Sequence, residues 1–142
     1  LPWIAAIDKF QHWIYLNPEQ TSEGRREAWK NIYSEFSGEI TDWSGYEEVR
    51  DYLWQKQLHL YEVPFYYIEY GMAQLGAIAV WRNYKTNPEQ TLEKYLNALK
   101  LGYTKSIGEI YETAGIKFDF SPAYVNELSD FVSKELEGLE KN

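Results

Sequence analysis

Between Phe65 and Lys85 the residues Phe65, Ile68, Met72, Leu75 and Ala79 recur at alternating spacings of three and four, the period of one face of an α-helix. Gly71, Ala73, Gly76 and Ala77 add small faces beside that stripe, leaving the stretch apolar or small on nearly all sides. Such a segment predicts a buried central helix with close neighbours. A chain organised around it must cover it with further helices or with a sheet.

The remaining sequence supplies helices. Trp3, Ile7, Phe10 and Ile14, with Asp8, Lys9 and Gln11 between them, predict an amphipathic helix over 3–16 that ends at Asn17-Pro18. The pentapeptide Asn-Pro-Glu-Gln-Thr occurs at 17–21 and again at 87–91, with unrelated flanks that speak against a duplication. An Asn cap, Pro at the first helical position and Gln at the third come close to a capping box, so both copies predict helix starts. The first such helix carries Trp29, Ile32, Tyr33 and Phe36 and should stop near Gly38; the second carries Leu92, Tyr95, Leu96 and Leu99 and should stop at Gly102. Residues 39–45 read as a loop in which Ser44 can cap a helix over about 46–60, broken at Val63-Pro64 because the residue before proline avoids helical geometry. A short helix over 107–114 should close at Gly115, and Ser121-Pro122 should open a last one through Tyr124, Leu128, Phe131 and Val132. No strand-period alternation competes, so the expected fold is all-α.

Composition narrows the function. The 142 residues fit one domain, and 44% hydrophobic with 18% aromatic content is ample for a core. No run of about eighteen apolar residues is present, so a membrane span is not expected. Leu1-Pro2-Trp3 offers neither an initiator methionine nor a leader pattern, and the chain reads as cut from something longer. Zero cysteines remove thiolate catalysis and cysteine-held zinc, and make a cytoplasmic compartment the default. A net charge of -8 with only scattered basic residues argues against nucleic acid and anionic membranes as partners.

The chain has two histidines, His12 and His59, so it contains no HExxH pair and is not expected to hold a metal by itself. His12 sits one turn after Asp8 and is assigned no role. His59 precedes a stretch in which Tyr61, Tyr66, Tyr67 and Tyr70 crowd a helix break and a helix start. Phenols are neutral donors at pH 7 and can stabilise an oxyanion without competing as metal ligands; the plainer use of such a stripe is core packing. Glu62 and Glu69 could be read as inward-facing paired carboxylates for glycoside cleavage or a carboxylate metal site, but with no third inward acid they are better taken as forming salt bridges or hydrogen bonds to neighbouring helices. Trp13, Trp29, Trp43, Trp54 and Trp81 read as core rather than sugar-stacking residues.

The string from Leu58-His59-Leu60-Tyr61-Glu62-Val63-Pro64-Phe65 through Tyr66-Tyr67-Ile68-Glu69-Tyr70 to Gly76-Ala77 closely resembles the C-terminal signature of oligoendopeptidase F-like enzymes, relatives of thimet oligopeptidase. Leu1-Pro2-Trp3-Ile4-Ala5, Phe10 to Tyr15, Trp81-Arg82-Asn83-Tyr84 and Ala114 to Ser121 extend the likeness over essentially the whole chain. The resemblance implies the helical C-terminal subdomain of a zincin-type oligopeptidase that cleaves short peptides in a narrow channel. It implies zinc held by an HExxH helix and a downstream glutamate in an N-terminal remainder preceding Leu1, with none held by this chain. By position His59 matches the family histidine, and Tyr66, Tyr67 and Tyr70 match the tyrosines that bind substrate and steady the tetrahedral intermediate. Thimet-type relatives place glycines between histidine and tyrosine, where this chain has Glu62, Val63 and Pro64. The alternative is a stand-alone helical module that binds peptides or proteins through the same tyrosine groove without catalysis.

Overall fold

A computed structural model of the chain describes residues 1–38 and 40–140. All regular structure among the described residues is helical: α1 (Pro2–Leu16), α2 (Ser22–Phe36), α3 (Glu47–Asp51), a 3-10 turn (Leu53–Lys56), α4 (His59–Glu62), α5 (Ile68–Thr86), α6 (Pro88–Leu101), α7 (Ile107–Thr113) and α8 (Pro122–Glu140). The all-α expectation holds. Contacts divide the chain into two compact units, Leu1–Gly71 and Met72–Asn142.

In the first unit Ala6, Ile7 and Phe10 of α1 pack on Trp29 and Ile32 of α2. Phe10 and Trp3 meet the Trp29 ring edge-on at 5.3 and 5.6 Å, and Tyr33 stacks on it at 5.3 Å. Burying a side chain such as Phe10 contributes roughly 1.5–3 kcal/mol, so this aromatic cluster is the main source of cohesion in the unit. The Trp29 indole N–H donates to the carbonyl of Arg50 at 2.9 Å. The expected helix over 46–60 is instead three short pieces, α3, the 3-10 turn and α4, and the N–H of Tyr52, which closes α3, also turns to the Arg50 carbonyl. Ser44 does not cap this segment: its N–H donates to Asp42 Oδ1 at 2.9 Å, and Tyr46 precedes α3 with no side-chain cap. The loop expected over 39–45 starts at Glu39, which lies outside the described residues; residues 40–45 contain no helix.

The two Asn-Pro-Glu-Gln-Thr copies behave differently. Asn87 opens α6, its side chain accepting from the Gln90 N–H at 3.2 Å. Asn17 instead closes α1, donating its amide to the Trp13 carbonyl at 2.9 Å. The cap of α2 is Thr21, whose hydroxyl accepts from the Gly24 N–H at 3.1 Å. A second cap four residues on outcompetes the first copy, and the expected start moves accordingly.

The second unit is built on Ala79 of α5 with Tyr124 and Leu128 of α8, flanked by Leu75, Ile78 and Ile116. Arg82–Glu127 at 2.6 Å and Lys85–Glu135 at 2.8 Å tie α5 to α8, and Asn83 donates to the Gly115 carbonyl at 2.8 Å. Gly76 lies against Tyr111, where an added Cβ would stand 2.8 Å from the phenol oxygen. Two expectations are corrected. Within α5 Gly71, Gly76 and Ala79 are buried, but Ala73, Gln74 and Ala77 are exposed, so the helix is lined on one side rather than enclosed. On α6 the buried residues are Thr91 and Ala98, while Leu92, Tyr95, Leu96 and Leu99 are 42–59% exposed. The small side of α6 packs inward, where α7 is its neighbour, and the large side is left outward.

Candidate active site

The turn between α4 and α5 is forced by its own residues. Pro64 fixes its φ, and the Tyr66 N–H returns to the Val63 carbonyl at 3.2 Å, closing a four-residue turn. Phe65 takes the third position at φ 60, as a type II turn requires and as a side chain other than glycine resists. Two contacts from α1 hold it there. Gln11, 2% exposed, accepts the Phe65 N–H on Oε1 at 3.0 Å, and the Phe65 ring sits 4.9 Å from both His12 and Tyr15. This turn delays α5 to Ile68, so Tyr66 and Tyr67 precede the helix that was expected to carry them.

The result is a cluster around His59, the first residue of α4. Each of the three tyrosine rings lies within 6.2 Å of the imidazole: Tyr66 stacked at 6.2 Å, Tyr67 tilted at 4.8 Å and Tyr70 edge-on at 5.5 Å. Tyr70 also meets Tyr66 at 5.7 Å and Tyr67 at 5.3 Å. Because Tyr67 leaves the turn before the helix, it is not rotated away from the others as it would be on a continuous helix; its ring is the one nearest His59. The three differ in burial. Tyr67 packs against the Trp29 cluster, whereas Tyr66 and Tyr70 are 42% and 46% exposed.

His59 is held at both nitrogens. The Gln57 amide meets Nδ1 at 2.7 Å, and Nε2 lies 3.3 Å from the Tyr70 hydroxyl. Gln57 is in turn fixed by the Trp3 indole, whose N–H donates to its Oε1 at 3.1 Å. Gln11, Gln57 and Trp3 are the members of this site that sequence reasoning missed. A signal existed for Gln11: it stands four residues after Ile7 and three before Ile14, on the apolar face of α1, where an uncharged polar residue implies a buried partner.

Glu62 and Glu69 are exposed. Tyr61 stacks on Trp54 at 6.3 Å, and burial pushes its phenol above the usual range. Among the described residues no group of three or more His, Cys, Asp or Glu side chains could hold a metal ion. What the cluster offers chemically is a set of neutral O–H and N–H donors on a partly open aromatic surface, suited to a carbonyl oxygen acquiring negative charge.

The model of the family described as peptidase family M3 matches residues 1–130. Among solved structures, PZ peptidase A with an inhibitor is 29% identical at a TM-score of 0.79, the match covering 94% of this chain and 25% of that one. A protein assigned as oligoendopeptidase F is 28% identical at a TM-score of 0.79, covering 96% of this chain and 24% of that one. The chain thus spans about a quarter of the length of these solved relatives. Comparison with curated proteins gave no significant match.

Proposed function

Because the chain belongs to peptidase family M3, we propose that it is the C-terminal portion of a zinc-dependent oligoendopeptidase that hydrolyses short peptides in the cytoplasm. The observation that carries this reading is the convergence of the His59, Tyr66, Tyr67 and Tyr70 rings, with Tyr66 and Tyr70 partly exposed. Described residues of this chain do not form a metal site, so zinc belongs in this proposal to an N-terminal remainder, and by itself the 142-residue chain is inactive. Peptides and that remainder are its partners; the net charge of -8 favours neither nucleic acid nor anionic lipid, and no described helix is long and apolar enough to cross a membrane.

In this role the chain binds and orients. Backbone groups of an extended peptide lie along the aromatic surface, and as the scissile carbonyl becomes tetrahedral its oxygen gains charge that a phenol O–H meets more strongly than it met the neutral carbonyl. The exposed Tyr70, anchored through His59, is assigned the donor role, and Tyr66 beside it the second position. Tyr67, packed on the core, is assigned support.

The test is replacement by phenylalanine at each tyrosine in the enzyme that contains this chain. Tyr70→Phe is expected to lower kcat about a hundredfold, roughly 3 kcal/mol, with unchanged thermal stability, because only a hydroxyl is lost. Turnover within about threefold of wild type at all three positions would reassign the cluster to packing.

A further inference from the structure

An imidazole that bridges two groups must choose which nitrogen carries its proton, and that choice sets the direction of every hydrogen bond beyond it. For His59 the choice can be read from the far end of the chain. Trp3 Nε1–H is a donor with no acceptor capacity, and it lies 3.1 Å from the Gln57 side chain, so the atom of Gln57 facing it is the carbonyl oxygen. The Gln57 NH₂ then faces His59 Nδ1 at 2.7 Å, and an NH₂ group can only donate. Nδ1 is therefore the acceptor and carries no proton. The proton of the neutral ring is on Nε2, 3.3 Å from the Tyr70 hydroxyl, and Nε2–H donates to the phenol oxygen. A phenol that accepts from histidine keeps its own hydrogen for another acceptor.

We propose that Gln57, anchored by Trp3, is a positioning residue that locks His59 as the Nε2–H tautomer and so leaves the Tyr70 O–H free to donate to the substrate carbonyl oxygen. This deepens the peptidase reading and rests on it for the identity of the acceptor; the tautomer itself does not. Reversal of the first donor would reverse the whole relay: with Nδ1 protonated and Nε2 bare, Tyr70 would donate inward to His59 and lose its outward hydrogen. The arrangement also accounts for a half-buried glutamine, rather than a carboxylate, beside the histidine. A glutamate could accept from both Trp3 and His59, but only by placing the proton on Nδ1, the wrong nitrogen for Tyr70.

The experiment is nitrogen-15 NMR of the imidazoles in the 142-residue chain, where His12 is the only other histidine. Wild type should show His59 with a pyridine-like Nδ1 and a pyrrole-like Nε2 at pH 8. Gln57→Glu, similar in size, should make Nδ1 pyrrole-like, and Trp3→Phe, which frees the Gln57 amide to turn over, should give averaged signals. An Nδ1–H tautomer in wild type, or averaging there, overturns the proposal without needing any variant to fold; an unchanged pattern in a folded Gln57→Glu chain overturns it equally. In the enzyme containing this chain, Gln57→Glu should lower kcat about tenfold or more with little change in KM, while Gln57→Glu added to Tyr70→Phe should cost no more than Tyr70→Phe alone. If the tautomers behave as stated but Tyr70→Phe is fully active, the relay stands and the peptidase role of Tyr70 falls.

Discussion

The contact between Gln11 and the turn at Phe65 gives the sharpest test of how the site is held, because the forces on it oppose one another. Gln11→Met keeps length and volume while removing the acceptor for the Phe65 N–H, at 3.0 Å in the native structure. Leaving that donor without a partner costs about 1–3 kcal/mol. Against it stands a gain: Gln11 Nε2 is buried with no protein partner, and replacing it with an apolar group removes about 1 kcal/mol of desolvation penalty. A further term comes from Phe65 itself, whose φ of 60 stores about 1–3 kcal/mol that the Gln11 bond helps to hold in place. With that clamp gone the turn can relax, recovering part of the strain but moving Tyr66 and Tyr67. The net expectation is a destabilisation of no more than about 2 kcal/mol, together with a loosened turn.

Urea unfolding followed by tryptophan fluorescence measures the first, since Trp29 is fully buried in the same unit. Amide hydrogen exchange measures the second: protection of the Phe65 N–H should fall about tenfold or more, while amides in the middle of α2 change only with global stability. Phe65→Gly in the Gln11→Met background should cost less than in wild type, because glycine has no strain at positive φ for Gln11 to hold. An unchanged unfolding midpoint with unchanged Phe65 protection would show that proline and the aromatic contacts alone set the turn, and the role given to Gln11 would be refuted.

Gly76→Ala places a Cβ 2.8 Å from the Tyr111 oxygen, whose O–H donates to the Met72 carbonyl at 3.3 Å; the clash should outweigh the helix-propensity gain of about 0.5–1 kcal/mol and lower stability by about 1 kcal/mol in urea melts. Glu109 accepts from the Ser106 N–H and hydroxyl and lies 3.3 Å from Lys105; these hydrogen bonds, the backbone one foremost, hold its carboxyl below the usual glutamate range. A carboxylate lowered in the folded state stabilises above its unfolded value, near pH 4.3, and loses that contribution as pH falls through its folded value; exchange protection of the Ser106 N–H should therefore drop on acidification below about pH 4, and Glu109→Gln should remove the pH dependence.

What was legible in the sequence follows from which interactions are local. Helix identity is local: the apolar period of α1, the Asn87 cap of α6 and the glycine that ends α7, Gly115 at φ 77, were each readable from a few neighbours. Element ends failed wherever a distant partner intervened. The segment expected as one helix over 46–60 is three short pieces, and its Arg50 carbonyl accepts from Trp29, twenty-one residues away, a contact no local pattern announces. The Ser106–Glu109 capping box that opens α7 is equally local, a serine followed three residues on by a glutamate.

The same distinction governs the site. Residue types and order nominate His59, Tyr66, Tyr67 and Tyr70, but helical periodicity cannot give their relative directions, because the helix does not begin until Ile68. Direction in this cluster is instead a product of side chains far away in sequence: Gln11 sets the turn across 54 residues, and Trp3 orients Gln57 across 54 more. Neither glutamine carries a motif, because an amide that only fixes the sense of a hydrogen bond needs no special neighbours in the chain. The exposed stripe of α6 makes the complementary point. Periodicity reported that Leu92, Tyr95, Leu96 and Leu99 share a face, but a shared face is a preference for burial, and it says nothing of what buries it. Thr91 and Ala98 go inward because short side chains let α6 lie close to its neighbours, and that choice is made by the partner helix rather than by the stripe.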